Sequence, residues 1–325
     1  MQNDRAHLEA LVGESECFRT AVQKIAVFAN SDATVLISGE TGTGKELFAR
    51  AIHYQGPRKD KPFIPVNCGA LPDHLLENEL FGHERGAFTD ASSAEKGLIA
   101  EAEGGTLLLD EIDTLSPAAQ VKLLRFLQSG EYRPLGCARS MLAQVRVIAA
   151  TNADLRQRME LKVLRQDLYY RLNTLALYIP PLRERVGDVP RLTAYFLTRY
   201  ATQYGRNVPQ LPGEVLGKLM THSWPGNVRE LECAVQRAVT LNTSQTLRHE
   251  DFDLPVSAAA ALSEPAPLRE AKTRAVAEFE RSYLTNILVT CHGNITQAAK
   301  AAGKERRTFQ RLVRKYGLER QSFQI

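Results

Sequence analysis

The sequence predicts an α/β fold with a parallel sheet, followed by a helix-only segment and then a separate basic helical module. Three observations predict it. Between residues 34 and 181, β-branched and apolar runs alternate with helical patterns, and that alternation argues a parallel sheet covered on both faces. From about Leu182 the patterns are helical alone. A stretch rich in Ala, Pro and Ser at 252–267 then sets apart a C-terminal part with 12 Lys/Arg against 5 Asp/Glu, whereas the rest holds 29 against 32. The expected organisation is a tail at 1–10, an α/β core at 11–181, a helical subdomain at 182–251, a linker at 252–267 and a polyanion-binding module at 268–325.

Composition excludes several classes. Hydrophobic residues make up 44% of the 325-residue chain and charged residues 24%, ordinary values for a globular protein with a sizeable core. No apolar run approaches the length that spans a bilayer, and Met1–Arg5 leads into no apolar segment, so membrane insertion and secretion are not expected. The five cysteines are scattered without a CxxC pair, which predicts reduced thiols in a cytoplasmic protein rather than a zinc site or disulfide framework.

Taken in order, Leu11–Phe28 reads as a helix with Phe18, Val22, Ile25 and Ala26 at helical spacing. Thr34–Ser38 is the first strand, and Gly39-Glu40-Thr41-Gly42-Thr43-Gly44-Lys45-Glu46 follows it directly. An amphipathic helix carrying Leu47, Phe48, Ala51 and Ile52 comes next. Strand, glycine-rich loop and helix together form a phosphate loop. Its backbone N–H groups converge on an anion, the helix N-terminus adds its dipole, and Lys45 supplies charge for the outer phosphates. Three further strands are expected at Phe63–Asn67, Gly104–Glu111 and Val145–Asn152, with a helix at Ala118–Ser129 among the segments between them. The polar residues at their C-terminal ends are the functional candidates, because ligands sit there in open α/β sheets.

Leu107-Leu108-Leu109-Asp110-Glu111 delivers two carboxylates from one apolar strand. That pattern suits Asp110 for holding Mg²⁺ and Glu111 for orienting or deprotonating an attacking water, with a nucleoside triphosphate on the loop. The general phosphate loop has Ser or Thr after its lysine to touch the metal; this chain has Glu46, so the ion is expected to rely on Asp110 and water. Helices at Asp188–Tyr204, Gly213–His222 and Val228–Asn242 fill the next segment, the last following the turn Trp224-Pro225-Gly226-Asn227. In the C-terminal module a helix over Leu268–Thr290 precedes a small-residue helix, Thr296–Ala302. The chain turns at Gly303 into a basic helix with Phe309, Leu312 and Val313 facing inward. This is a helix-turn-helix arrangement, in which Arg306, Arg307, Thr308, Gln310 and Arg311 line the outer face and reach base edges or phosphates of double-stranded DNA.

Six motifs carry a wider resemblance: GETGTGKE (39–46), ELFGHERGAFTDA (79–91), GGTLLLDE (104–111), LRQDLYYRL (164–172), PPLRER (180–185) and WPGNVREL (224–231). From about Leu11 to Gly317 the chain resembles the bacterial AAA+ activators of sigma-54 RNA polymerase, in which Glu46 is the usual residue after the lysine. The resemblance implies an AAA+ core with a helical lid and a Fis-type helix-turn-helix, assembled as a homo-hexamer or mixed ring that hydrolyses ATP at its subunit interfaces. It implies that Asn67 positions Glu111 in response to the γ-phosphate. Arg165 and Arg171 match arginine fingers reaching a neighbour's ATP, although alone they would read as a solvated pair on a helix. Arg229 matches the lid's sensor arginine. Phe88 and Thr89 match the loop that contacts sigma-54, where Asp90 replaces a glycine; Asp tolerates left-handed backbone angles, so the loop shape can survive.

Family members commonly carry a sensing domain before the ATPase, and about ten residues precede it in this sequence. Control is therefore expected from a regulatory protein in trans, from expression level or from a second activator in a mixed ring. The expected function is an ATP-hydrolysing activator that binds DNA upstream of a promoter and remodels sigma-54 polymerase closed complexes to open ones. Two other readings stand beside it: a DNA-binding regulator whose ATPase fold is not coupled to sigma-54, and another AAA+ remodelling motor.

Overall fold

The computed structural model describes residues 11–88, 93–185, 187–242, 244–252, 254, 284, 287–288, 291 and 294–315. It divides into two compact units, Met1–Pro255 and Val256–Ile325.

In the first unit the helices are α1 (Glu16–Ala29), α2 (Lys45–Tyr54), α3 (Asp73–Phe81), α4 (Leu98–Glu101), α5 (Pro117–Ser129), α6 (Leu155–Glu160), α7 (Gln166–Leu172), α8 (Asp188–Gln203), α9 (Gly213–Thr221) and α10 (Asn227–Leu241). Strands β1 (Val35–Ser38), β2 (Phe63–Asn67), β5 (Thr106–Asp110), β8 (Arg146–Thr151) and β9 (Leu175–Tyr178) form one parallel sheet in the order β2-β5-β8-β1-β9. Two short hairpins flank it: β3 (Gly82–His83) with β4 (Glu95–Lys96), and β6 (Glu131–Tyr132) with β7 (Met141–Leu142).

Side chains alternate across a strand, and here the alternation feeds two cores. Val35, Ile37, Leu108, Ile148 and Ala150 pack with Phe18, Ile25, Phe48 and Ile52 of α1 and α2. Leu36, Leu107, Leu109, Val147 and Ala149 pack on the opposite face with Leu123 and Phe126 of α5 and Leu168 of α7. Both faces are covered, as the continuous apolar strands require.

Two differences from the sequence reading have physical causes. The sheet has a fifth strand, β9, which pairs only with β1 and so lies at an edge; it is short and only Leu177 in it is fully buried, so the pattern was faint. The first helix starts at Glu16 rather than Leu11, because Glu14 and Ser15 give their N–H groups to the Asp188 carboxylate, at 2.7 and 2.9 Å, instead of opening a helix.

Helices α8, α9 and α10 build a separate core around Trp224, Leu192, Phe196, Leu231 and Val235. The Trp224 indole N–H donates to the Leu219 carbonyl at 2.9 Å, which satisfies its polar edge within that core. Phe252 and Leu254, in the stretch whose composition reads as linker, are buried in the same core.

In the second unit, α11 (Ile295–Ala301) and α12 (Arg306–Lys315) pack Ala298, Ala299, Phe309 and Val313 against Leu284 and Leu288. Asn294 caps α11, its side-chain oxygen accepting from Thr296 and Gln297 N–H. Gly303 turns the chain at φ 60°, a left-handed conformation that favours glycine. Most of the helix expected over 268–290 lies outside the described residues.

Candidate functional site

The residues between β1 and α2 make the phosphate loop. Gly42 and Gly44 have φ of 79° and 97°, and a Cβ on Gly42 would lie 2.2 Å from the Gly226 carbonyl oxygen; only glycine fits there. Lys45 opens α2, and its ammonium donates to the Gly39 and Glu40 carbonyls at 2.9 and 3.2 Å. Burial lowers its pKa, and the nearby Asp110, Glu111 and Asp113 carboxylates oppose that shift. The Thr43 hydroxyl donates to the Glu40 carbonyl at 2.8 Å, folding the loop on itself. Glu46 turns its carboxylate to Arg50, one turn along α2, at 2.7 to 2.8 Å.

Facing the loop are the ends of β2 and β5, where Asn67 and Asp110 pair in register. Glu111 follows in a left-handed conformation, φ 55°, unusual for a residue other than glycine. Its N–H donates to the Asp110 carboxylate at 2.9 Å. The Asn67 side-chain oxygen accepts from Gly69 N–H at 2.8 Å, and a Cβ on Gly69 would lie 2.3 Å from the Glu111 carboxylate. Asn67 and Glu111 therefore meet over a glycine. Lys45, Glu46, Asn67, Asp110, Glu111 and Arg229 all line one cleft of about 440 Å³.

Sequence reasoning missed a second chamber. A pocket of about 280 Å³ adjoins the cleft at Gly44, Leu47 and Val228, and its walls include Leu11, Val12, Leu192 and Phe196. The 11–15 segment is held there by a buried pair. The Arg185 Nε donates to Asp188 at 2.9 Å, another Arg185 nitrogen donates to the Val12 carbonyl at 2.8 Å, and the guanidinium stacks 3.7 Å over the Phe18 ring. No local pattern announces a bond between Val12 and Arg185, 173 positions apart. Asn152, at the end of a predicted strand but given no role there, donates to the Thr41 hydroxyl at 2.9 Å and lines the cleft. Its place at the C-terminal end of β8 was the available signal.

The helical subdomain grips the loop directly. The Arg229 N–H donates to the Gly42 carbonyl at 3.3 Å. Glu40 was expected among the phosphate-loop contacts, yet its carboxylate turns toward this subdomain, to Arg183 and Asn227. Hydrogen bonds from those two side chains hold its pKa down at about 2.

Arg165 and Arg171 do not line the cleft. Both are exposed on α7 and the residue before it: Arg165 pairs with Asp167 at 2.7 and 3.0 Å, and Arg171 donates to the Leu127 carbonyl at 2.9 Å. Phe88 is 44% exposed, its ring 4.9 Å from that of buried His83; Thr89 and Asp90 lie outside the described residues. In the second unit, Arg306, Arg307 and Arg311 are exposed on α12, with Thr308 and Gln310 half-buried beside them. No helix among the described residues is long and apolar enough to cross a membrane.

Comparison with known proteins matches three families along the chain. Residues 11–178 match the Sigma-54 interaction domain, 183–267 the AAA+ ATPase lid domain and 275–316 the bacterial regulatory protein, Fis family. The transcriptional regulatory protein GlrR of Escherichia coli K12 is 43% identical over 98% of this chain and 71% of its own. ZraR of Klebsiella oxytoca is 43% identical over 92% of this chain and 67% of its own. The crystal structure of NtrX from Brucella abortus in complex with ATP superposes with a TM-score of 0.70 at 31% identity, over 94% of this chain and 69% of that one. With an AAA+ sheet and lid, a sigma-54 interaction domain and a Fis-family helix-turn-helix, the chain belongs to the sigma-54-dependent bacterial transcriptional regulators.

Proposed function

We propose that the chain is an ATP-hydrolysing transcription activator. It acts in the cytoplasm as a ring, docks on DNA upstream of a promoter and converts sigma-54 polymerase closed complexes to open ones. The observation that carries this reading is the meeting of Lys45, Asn67, Asp110 and Glu111 in one cleft, within a chain that has a sigma-54 interaction domain.

The division of chambers suits a nucleotide. The apolar pocket walled by Leu11 and Val12 would take the base, and the loop of Gly39–Lys45 the phosphates. Glu111 would accept a proton as a water oxygen bonds to the γ-phosphorus, while the bond to the bridging oxygen breaks and ADP leaves with that electron pair. Asn67, beside it over Gly69, would hold the carboxylate according to whether a γ-phosphate is present. Among the described residues no three His, Cys, Asp or Glu side chains cluster to hold a metal. Asp110 offers a hard carboxylate oxygen, which fits Mg²⁺ bound chiefly by phosphate oxygens and water. When bound, that ion would neutralise phosphate charge.

Arg165 and Arg171, exposed and remote from the cleft of their own chain, would serve the ATP of a neighbouring subunit. Phe88, half-exposed on its loop, and Thr89 would contact sigma-54, and Arg306, Arg307, Thr308, Gln310 and Arg311 would read DNA. The test is transcription from a sigma-54 promoter with purified polymerase, with and without ATP, beside a Thr89→Ala variant. Open complexes that need ATP, and are lost in Thr89→Ala while hydrolysis persists, are the expected result. Activation without ATP would favour a DNA-binding regulator with an uncoupled ATPase fold, and hydrolysis without activation another remodelling motor.

A further inference from the structure

Glu40 sits inside the phosphate loop but makes its side-chain bonds outside it. One carboxylate oxygen accepts from Arg183 at 2.7 Å and from Asn227 at 3.1 Å, and the other accepts from Arg183 at 2.5 Å. Two parallel bonds of this kind use the planar fork of a guanidinium, which a lysine cannot copy. Asn227 is fully buried and serves as a hub. Its amide nitrogen also donates to the Thr41 carbonyl at 3.0 Å, and its oxygen accepts from Leu182 N–H at 2.8 Å. Arg183 follows Leu182, and Asn227 lies two residues before Arg229 at the start of α10. Around residues 40–42 the loop therefore meets the lid at both the entry to α8 and the entry to α10.

We propose that Glu40, Arg183 and Asn227 form a latch that sets the lid, and with it Arg229, over the phosphate loop. Glu40 is then a positioning residue that acts on the nucleotide through the lid rather than by touching phosphate. The latch rests on the nucleotide-site reading above. Arg183 and Glu40 are 46% and 39% exposed, so each single effect is modest, since solvent screens such pairs.

A fluorescent ATP analogue titrated against the full chain, with steady-state hydrolysis and thermal unfolding alongside, tests the latch. Glu40→Gln and Arg183→Gln should each weaken binding about two- to fivefold at unchanged melting temperature, and the double variant should be no worse than either single. Added to Arg229→Ala, each should have little further effect, because all three act through one lid position. Effects that multiply fully with Arg229→Ala would overturn the proposal. So would an affinity loss in Glu40→Gln with none in Arg183→Gln, which would make Glu40 a direct ligand, or a loss that tracks melting temperature. Wild-type chain that binds no analogue would instead refute the nucleotide site itself, and the latch with it, before any variant is compared.

Discussion

Replacing Asp188 by alanine is the most exacting test of how the lid builds the apolar pocket. Asp188 and Arg185 are 1% and 2% exposed and bond at 2.9 Å. Asp188 also accepts from Glu14 N–H at 2.7 Å, Ser15 N–H at 2.9 Å and the Ser15 hydroxyl at 2.8 Å. Truncation would strand a buried guanidinium and free the 11–15 segment. Leaving one buried charge without its partner costs about 3–5 kcal/mol, which for a unit of this size lowers the melting temperature by about 6 to 20 °C. Differential scanning calorimetry measures it. Arg185→Met added to Asp188→Ala should recover part of the loss, because removing both charges costs less than removing one. Burial pushes the Asp188 carboxyl up, but its hydrogen bonds outweigh that and its pKa lies below the usual range. A carboxylate with a lowered folded pKa contributes stability above its unfolded value, near pH 4, and loses it as pH falls through the folded value. The gap between wild type and Asp188→Ala should therefore be constant from about pH 5 to 8 and shrink below about pH 4. A melting shift under about 2 °C at neutral pH, the size of a change below 1 kcal/mol, would refute the clamp.

Glu111→Gln should keep nucleotide binding while turnover falls at least about a hundredfold; near-normal hydrolysis in a phosphate-release assay would move the base elsewhere, Asp110 first. Lys45→Ala and Arg171→Ala subunits should each be inactive alone, yet an equal mixture should regain about a quarter of the sites, since each needs a lysine from one subunit and an arginine from the next. A mixture as dead as its components would place both residues in one subunit's site. Phe309, fully buried between α11 and α12, should cost about 3–5 kcal/mol on truncation to alanine. Footprints should disappear while hydrolysis persists, and intact footprints would remove α12 as the DNA reader.

What could be read from the sequence was whatever the chain states locally. The loop at 39–46 declares itself because glycine spacing and a lysine at a helix start are local chemistry, and the structure brings Lys45, Asn67, Asp110 and Glu111 together in one cleft. The inward face of α12 was legible too, with Phe309 and Val313 buried. Where function depends on distant partners, the pattern fell silent. Leu11 and Val12 fall in a stretch read as helical, and Arg185 and Asp188, across the fold, hold them as a pocket wall. Glu40 looks like a loop residue in any one-dimensional reading, and its direction is decided by Arg183 and Asn227 in the lid.

The seam between core and lid differs in kind from the cores on either side, and that difference bears on how the lid moves. The cores are apolar clusters, and opening them would expose hydrocarbon to water. At the phosphate loop the tethers across the seam are polar: Arg183 to Glu40, Asn227 to the Thr41 carbonyl, Arg229 N–H to the Gly42 carbonyl. Exchanging such bonds for water costs only about 0.5–1.5 kcal/mol each, so the lid can part from the loop while all three cores stay packed. Arg229 reports the motion directly. It lies in the first turn of α10, where an N–H has no partner within the helix, and its bond crosses the seam to Gly42 at 3.3 Å. If nucleotide seats the lid on the loop, hydrogen exchange at the Arg229 amide should slow on adding ATP in the slow-hydrolysing Glu111→Gln background. Amides deeper in α10, such as Val235, should keep their rates. Equal protection across α10 would mean that the helix is stabilised as a whole and that the seam is not the hinge.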